Sequence, residues 1–272
     1  MAGMRIFYDV DTQRDFMHTN GALYVPGSDK IESNLEKLTN FARIERISIW
    51  GSMDRHFEND PELKRNGGPF PDHCMNGATG QKLVARTNYD VIDADMGYAT
   101  KVIPHKVSEN QTYDWNPQRL FEVVRLFQAA SVMNYMRGVK ILIQRGPNII
   151  FEKQANDVFT NPAAEELMHA LEVKEAVVYG LATDYCVKAA VIGMQQRGIQ
   201  CYVIEDAIAA VTPKTGKAAL EKMVKAGAKL IKTEDVLKNM MKWDLPDNTK
   251  WLSEKKEKEA YDQGLVEWFE TK

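Results

Sequence analysis

Cysteine is scarce in this chain of 272 residues, which holds Cys74, Cys186 and Cys201 and no others. The count is odd and no pair has the spacing of a zinc knuckle. A disulfide framework and a Cys-rich structural zinc site are therefore both unexpected, and a reducing, cytoplasmic setting fits. Nowhere is there an apolar run of the roughly eighteen residues that a membrane-crossing helix needs. The opening Met-Ala-Gly-Met-Arg lacks the apolar stretch of a secretory leader, so none is expected. Net charge is only −3, and basic residues cluster nowhere but the C-terminal tail, which leaves no electrostatic footprint for a nucleic acid. Internal repeats and low-complexity segments are absent. What remains is 44% hydrophobic and 27% charged, enough apolar surface for a sizeable core.

Short apolar runs alternate with amphipathic ones. Strands are expected at Met4 to Val10, Ile44 to Trp50, Val139 to Gln144, Asn148 to Lys153, Val173 to Tyr179, Gln200 to Ile204 and Ala228 to Ile231, with a weaker one at Val102 to Lys106. Between them, helical periodicity runs from Ser28, from Pro117 to about Arg137, after Pro162, after Val187 and from Thr215 to Ala226. Strands that alternate with helices predict an α/β fold, a three-layer doubly wound parallel sheet with helices on both faces.

Chemistry-bearing residues gather where the expected strands end, which is where open α/β sheets place their ligands. Cys186 follows a buried strand and opens a helix, with Thr183 or Asp184 as its N-cap. Unpaired amides at such a start favour a thiolate and can receive an oxyanion. Asp11 comes directly off the first strand. Asp54 and His56, two apart on extended backbone, point to one face. His73 returns from a Pro- and Gly-rich loop, so a carboxylate and two imidazoles could meet as an open metal site, with Glu58 or Glu62 as a further ligand. Zn2+ suits two nitrogens and an oxygen; Mn2+ and Fe2+ are the other options. Lys153 leaves a strand one helix and one strand before Cys186, and Lys106 is the competing lysine.

Five stretches together resemble the isochorismatase-like cysteine hydrolases, and among them the nicotinamidase/pyrazinamidase group. They are Asp11-Thr-Gln-Arg-Asp-Phe16; Asp54-Arg-His56 with Pro71-Asp-His-Cys74 and Gly77-Ala-Thr-Gly80; Glu152-Lys153 with Asp157-Val-Phe159; Gly180-Leu-Ala-Thr-Asp-Tyr-Cys-Val187; and, more weakly, Glu205-Asp-Ala207. The resemblance implies a catalytic triad of Asp11, Lys153 and Cys186. It implies oxyanion-hole amides at Ala182 and Cys186, with a cis peptide between Ala182 and Thr183. Substrate would be held by Phe16, Thr183 and Tyr185, and the metal by Asp54, His56 and His73. The implied reaction is hydrolysis of a small amide, with nicotinamide first and a carbamoyl or ureido compound second. A silent family member acting as a binding subunit would have lost Asp11, Lys153 or Cys186, and all are present.

The sequence departs from the family pattern at Arg55, where an aromatic residue is common, and across residues 82–150, which read as an insertion-bearing region. The hydrolase domain is expected over residues 1–235 and a charged helical extension over 236–272. That extension would pack on the body or on another subunit, in a homo-oligomer.

Overall fold

A computed structural model describes residues 4–45, 47–87, 100–136 and 147–239. The strand expected at Val139 to Gln144 and the extension beyond residue 239 lie outside these.

Among the described residues, seven parallel strands form the central sheet: β1 (Met4–Val10), β2 (Ile49–Asp54), β3 (Lys101–Ile103), β6 (Ile149–Lys153), β7 (Val173–Leu181), β8 (Gln200–Ala209) and β9 (Lys229–Ile231). Their spatial order is β3-β6-β2-β1-β7-β8-β9. Two short strands, β4 (Lys106–Ser108) and β5 (Gln111–Thr112), pair as an antiparallel hairpin outside that sheet. The helices are α1 (Arg14–Met17), α2 (Ser28–Ile44), α3 (Pro117–Met136), α4 (Pro162–Ala170), α5 (Lys188–Gln196), α6 (Pro213–Lys225) and α7 (Thr233–Asn239).

The sheet is buried on both faces, which is why β1 and β7 read as nearly unbroken apolar runs. Ile6, Tyr8 and Val10 of β1 pack with Val178 of β7, Phe127 of α3 and Val191 of α5 on one side. Phe7, Val177 and Tyr179 pack with Leu35 and Leu38 of α2 and Val236 of α7 on the other. This is the doubly wound sandwich that the alternation of elements predicts.

Several boundaries differ from the sequence expectation, three of them by more than a residue or two. Ile44 belongs to the end of α2 and is 76% exposed, so β2 begins at Ile49 and reaches Asp54 itself. The isoleucines at 44, 47 and 49 imitate one strand, but a helix end and a turn divide them. β8 continues past Ile204 because its pairing with β7 skips: Val178 pairs Val203, and Gly180 pairs Ile208. Chain between those two rungs bulges and lets Glu205 and Asp206 leave the ladder. In the 82–150 region, the expected Val102–Lys106 strand is two elements, β3 and β4, broken at Pro104.

Gly180 shows how closely β7 and β1 approach at their carboxyl ends. Its φ is +115°, and a Cβ built there would lie 2.1 Å from the Val10 carbonyl oxygen. Only glycine satisfies both conditions. The carboxyl ends of β1, β2, β6 and β7 are thus drawn together, and each carries a residue singled out above.

Candidate active site

Asp11 is the first residue beyond β1. It adopts a left-handed backbone (φ 50°), which aspartate tolerates better than most residues. Its amide donates to the Ser52 carbonyl, and the Ser52 hydroxyl donates to Asp11 Oδ1 at 2.7 Å. Asp11 Oδ2 is left facing Lys153 Nζ at 2.8 Å. The lysine is the last residue of β6 and one of the largest fully buried side chains in the fold. Its ammonium also pairs with Asp54 Oδ1 and lies 3.5 Å from Cys186 Sγ. A sulfur and carboxylate oxygens of Asp11 and Asp54 fall within 4.8 Å of one another. Lys106, by contrast, pairs with Asp60.

Burial dominates the electrostatics. It pushes the Cys186 thiol well above its ordinary range; Lys153 opposes that, and Asp11 reinforces it. The helix-start expectation of a lowered thiol is therefore corrected: loss of water outweighs the amides and the neighbouring cation. Burial alone would depress Lys153, but Asp11 and Asp54 outweigh it and hold the ammonium charged. Asp11 is raised by burial, with Lys153 pulling the other way.

Cys186 itself sits on a single π-helical turn, Thr183–Val187, that feeds α5. Neither Thr183 nor Asp184 caps it. Ala182 holds the cap position, and its carbonyl accepts from the amides of Tyr185 and Val187. Asp184 instead accepts from the Val211 amide and the Thr215 hydroxyl, tying this turn to α6. The cis peptide lies between Leu181 and Ala182, one bond earlier than expected.

Asp54, His56 and His73 are all buried, and their ligand atoms lie within 4.8 Å of one another. Asp54 Oδ2 is 3.9 Å from His56 Nε2 and 3.8 Å from His73 Nε2. These distances are too long for hydrogen bonds, and His56 Nε2 is buried with no hydrogen-bond partner among the described residues. Each ring turns its other nitrogen to an acceptor: His56 Nδ1 to Asp60 Oδ2 at 3.2 Å, His73 Nδ1 to the Pro71 carbonyl at 2.8 Å. That assigns the proton to Nδ1 and leaves both Nε2 lone pairs facing Asp54. Burial lowers His73, keeping it neutral. Glu62 Oε2 lies 3.7 Å from His56 Nε2, and its carboxyl is raised by burial and then by Asp54. Glu58 lies at the surface, 3.7 Å from Arg65. An orphaned buried nitrogen, a second neutral imidazole and a carboxylate form a donor set that fits a divalent cation.

One turn holds both halves in place. The Gln13 side chain accepts from the Asp54 amide at 2.7 Å and donates to the Asp54 carbonyl at 2.8 Å and the Gln81 carbonyl at 2.7 Å. Asp15 accepts from the Cys74 amide at 2.7 Å, beside His73. Arg55, the departure from the family pattern, pairs with Glu152 at 2.7 Å.

A cleft of about 560 Å³, counting its open mouth, leads to Cys186. Its apolar wall includes Phe16, Leu181 and Tyr185. Phe16 and Phe70 flank His73, with ring centroids at 5.6 and 5.9 Å. Its polar side holds Asp54, Glu62, His73 and Asn156. Thr183 is buried and is not among the lining residues. The sequence reading did not single out Phe70 or Asn156. Asn156 Oδ1 lies 3.7 Å from Cys186 Sγ, and its place three residues after Lys153 was the only available signal.

The model of the isochorismatase domain matches residues 137–235. The chain's fold is isochorismatase-like. The chain is 26% identical to the nicotinamidase of Escherichia coli over 243 residues, covering 83% of this chain and 93% of that protein. It is 29% identical to isochorismatase family protein 2A of Dictyostelium discoideum over 97 residues, a match to 35% of this chain and only about half (48%) of that relative's length. The crystal structure of the Pyrococcus horikoshii pyrazinamidase in complex with zinc superposes with a TM-score of 0.58 at 23% identity, over 84% of this chain and 98% of that one. The last comparison bears on the isochorismatase-like fold. Among the described residues no helix is long and apolar enough to cross a membrane.

Proposed function

We propose that this protein is a cysteine amidohydrolase that cleaves a small amide to its acid and ammonia, with nicotinamide as the substrate. The observation that carries the reading is the convergence of Lys153 and Asp11 on Cys186, which lines a cleft with one apolar, aromatic wall. Likeness to the E. coli nicotinamidase over most of both chains supports it.

In this reading the thiol is protonated at rest. As sulfur attacks the amide carbon, its proton passes to Asp11 while Lys153 keeps the two anions tolerable. The amides of Ala182 and Cys186 receive the developing oxyanion. Asp11 returns the proton to the nitrogen, ammonia leaves, and a thioester remains on Cys186. Asp11 then takes a proton from water as its oxygen attacks the thioester carbon. Collapse releases the acid and returns the proton to sulfur. Ser52 keeps Asp11 in line throughout, and Phe16 and Tyr185 pack on the substrate ring.

Asp54, His56 and His73 would hold Zn2+, or Mn2+ or Fe2+, with Glu62 near enough to join them. A cation held there would supply Lewis acidity toward a ring nitrogen of the substrate. The imidazole pair favours a pyridine carboxamide over a carbamoyl or ureido compound, which has no ring nitrogen to offer. We place the protein in the cytoplasm, in salvage of the pyridine ring for NAD, as a homo-oligomer.

Ammonia release from nicotinamide, pyrazinamide, benzamide and an N-carbamoyl amino acid tests this directly. The reading requires turnover of the first two, much weaker turnover of benzamide, and none by Cys186→Ala. Preference for the N-carbamoyl compound would transfer the protein to the ureido hydrolases.

A further inference from the structure

Lys106 is the competing lysine of the sequence, and the proposed triad does not use it. It stands in β4, outside the large sheet, with its side chain 20% exposed, yet its ammonium reaches a carboxylate, Asp60, that is wholly buried. Asp60 has another hydrogen-bonding duty. Its second oxygen accepts from the Phe57 amide at 2.8 Å and faces His56 Nδ1 at 3.2 Å. The Lys106 ammonium also lies 5.9 Å from the centre of the Phe57 ring. Asn59, next along the loop, donates to the Glu109 carbonyl at 2.8 Å. The hairpin of β4 and β5 therefore grips residues 57–60 at two points.

We propose that Lys106, acting through Asp60, is a positioning residue for His56: it fixes the carboxylate that aims His56 Nε2 at Asp54 and His73, and so sets how tightly those residues hold a divalent cation. This rests on the metal reading given above.

The two imidazoles differ in how they are held. His73 Nδ1 meets a backbone carbonyl, which cannot leave its place. His56 Nδ1 meets a side chain, which can. The His56 ring is fully buried, and among the described residues its Nε2 has no hydrogen-bond partner to steady it, so its direction depends on Asp60. A buried carboxylate needs a cation to stay buried. Lys106 provides one from the side away from the ring. Without it, Asp60 must share the imidazole's proton or turn toward water, and either movement loosens a ligand from its outer side.

The test uses the full chain, stripped with a chelator, with Zn2+ as probe and a chromogenic chelator as competitor. Lys106→Met is expected to weaken zinc binding by roughly tenfold or more, within the tenfold to hundredfold that outer partners of metal ligands typically contribute. Lys106→Arg keeps the charge and should restore most of that affinity. Asp60→Asn should weaken binding comparably, and the double variant should be no weaker than the worse single one, because both act through one ring. His73→Ala is the control for the metal reading itself. If the parent binds no stoichiometric zinc, or His73→Ala binds it equally well, the metal reading fails and this inference with it. If the parent and His73→Ala behave as expected but Lys106→Met binds zinc as the parent does, only this inference is overturned. A lowered melting temperature of metal-free Lys106→Met with unchanged zinc affinity overturns it too, and makes the ion pair purely structural.

Discussion

Asp54 and Lys153 are direct neighbours in the register of β2 and β6, and the ion pair between them joins the two halves of the site. One oxygen of Asp54 faces the imidazoles while the other pairs with the lysine beside Cys186. A single carboxylate thus touches both the proposed cation position and the side chains around the proposed nucleophile.

That double service separates Asp54 from the histidines. His73→Ala removes one candidate ligand, so added zinc should restore part of its amide turnover by mass action. Asp54→Asn also removes the charge that fixes Lys153, and saturating zinc should leave turnover low. Activity measured across a zinc titration decides the matter: equal recovery of both variants would mean that the Asp54–Lys153 pair is irrelevant to catalysis.

Cys186→Ser should cost roughly a thousandfold or more in turnover, as loss of a nucleophile does, with little change in melting temperature. The parent thiol has a pH signature as well. Burial raises it above its ordinary range, so it is protonated at neutral pH. Its alkylation by iodoacetamide should therefore accelerate as pH rises through the alkaline range. A rate already at its plateau near neutrality would reveal a preformed thiolate and contradict the order of proton transfers proposed above.

Much of this site was legible in the sequence because the fold is written locally. Asp11, Lys153 and Cys186 each follow an apolar run that ends abruptly, and a parallel sheet gathers such ends on one edge. The Asp-x-His pair follows from strand geometry. Less visible were effects carried by contacts between distant segments. Asp60 reads as a loop acid before a proline; only the fold sets it behind His56 and under Lys106, 46 positions away. Asp184 reads as a helix cap, but the real partners of its carboxylate are on the segment that enters α6. The burial that raises the Cys186 thiol is likewise a property of the packed site, whereas the sequence reveals only the helix start that works against it.

Gly180 offers a test of the fold's tightest junction. Gly180→Ala would place a methyl group 2.1 Å from the Val10 carbonyl oxygen on backbone with φ +115°. Strained backbone and overpacking each cost about 1 to 3 kcal/mol, so a loss of about 3 kcal/mol or more is expected. Urea unfolding measures it. Because β1 would have to shift and Asp11 follows Val10, residual turnover in the folded fraction should fall as well. A variant with the parent's midpoint would show that the junction yields at no cost.

The last prediction concerns Asp9, a buried acid outside the proposed triad. It lies on β1 beside Tyr179 of β7, on the face covered by α2. Its Oδ2 accepts from the Thr12 hydroxyl at 2.9 Å, but its Oδ1 is buried with no hydrogen-bond partner among the described residues. Burial pushes its pKa up to about 8; the Thr12 bond works against that shift and Asp11 adds to it. The folded protein therefore holds this proton at neutral pH, while the unfolded chain gives it up above the ordinary carboxylate value of about 4. The unfolded state binds fewer protons between those values, so the contribution of Asp9 to stability is fully present below about pH 4 and is lost as pH rises toward 8. Each unit of difference is worth about 1.4 kcal/mol, which makes the loss by pH 8 on the order of a few kcal/mol. Asp9→Asn keeps an oxygen for Thr12 and cannot ionise. The variant should gain on the parent steadily in urea midpoint from about pH 4.5 to about pH 8, since every other titration is common to both and cancels in the difference. A difference that stays constant across that range would mean that Asp9 ionises in the folded protein as easily as in the unfolded chain, and that β1 tolerates a buried charge directly behind Asp11.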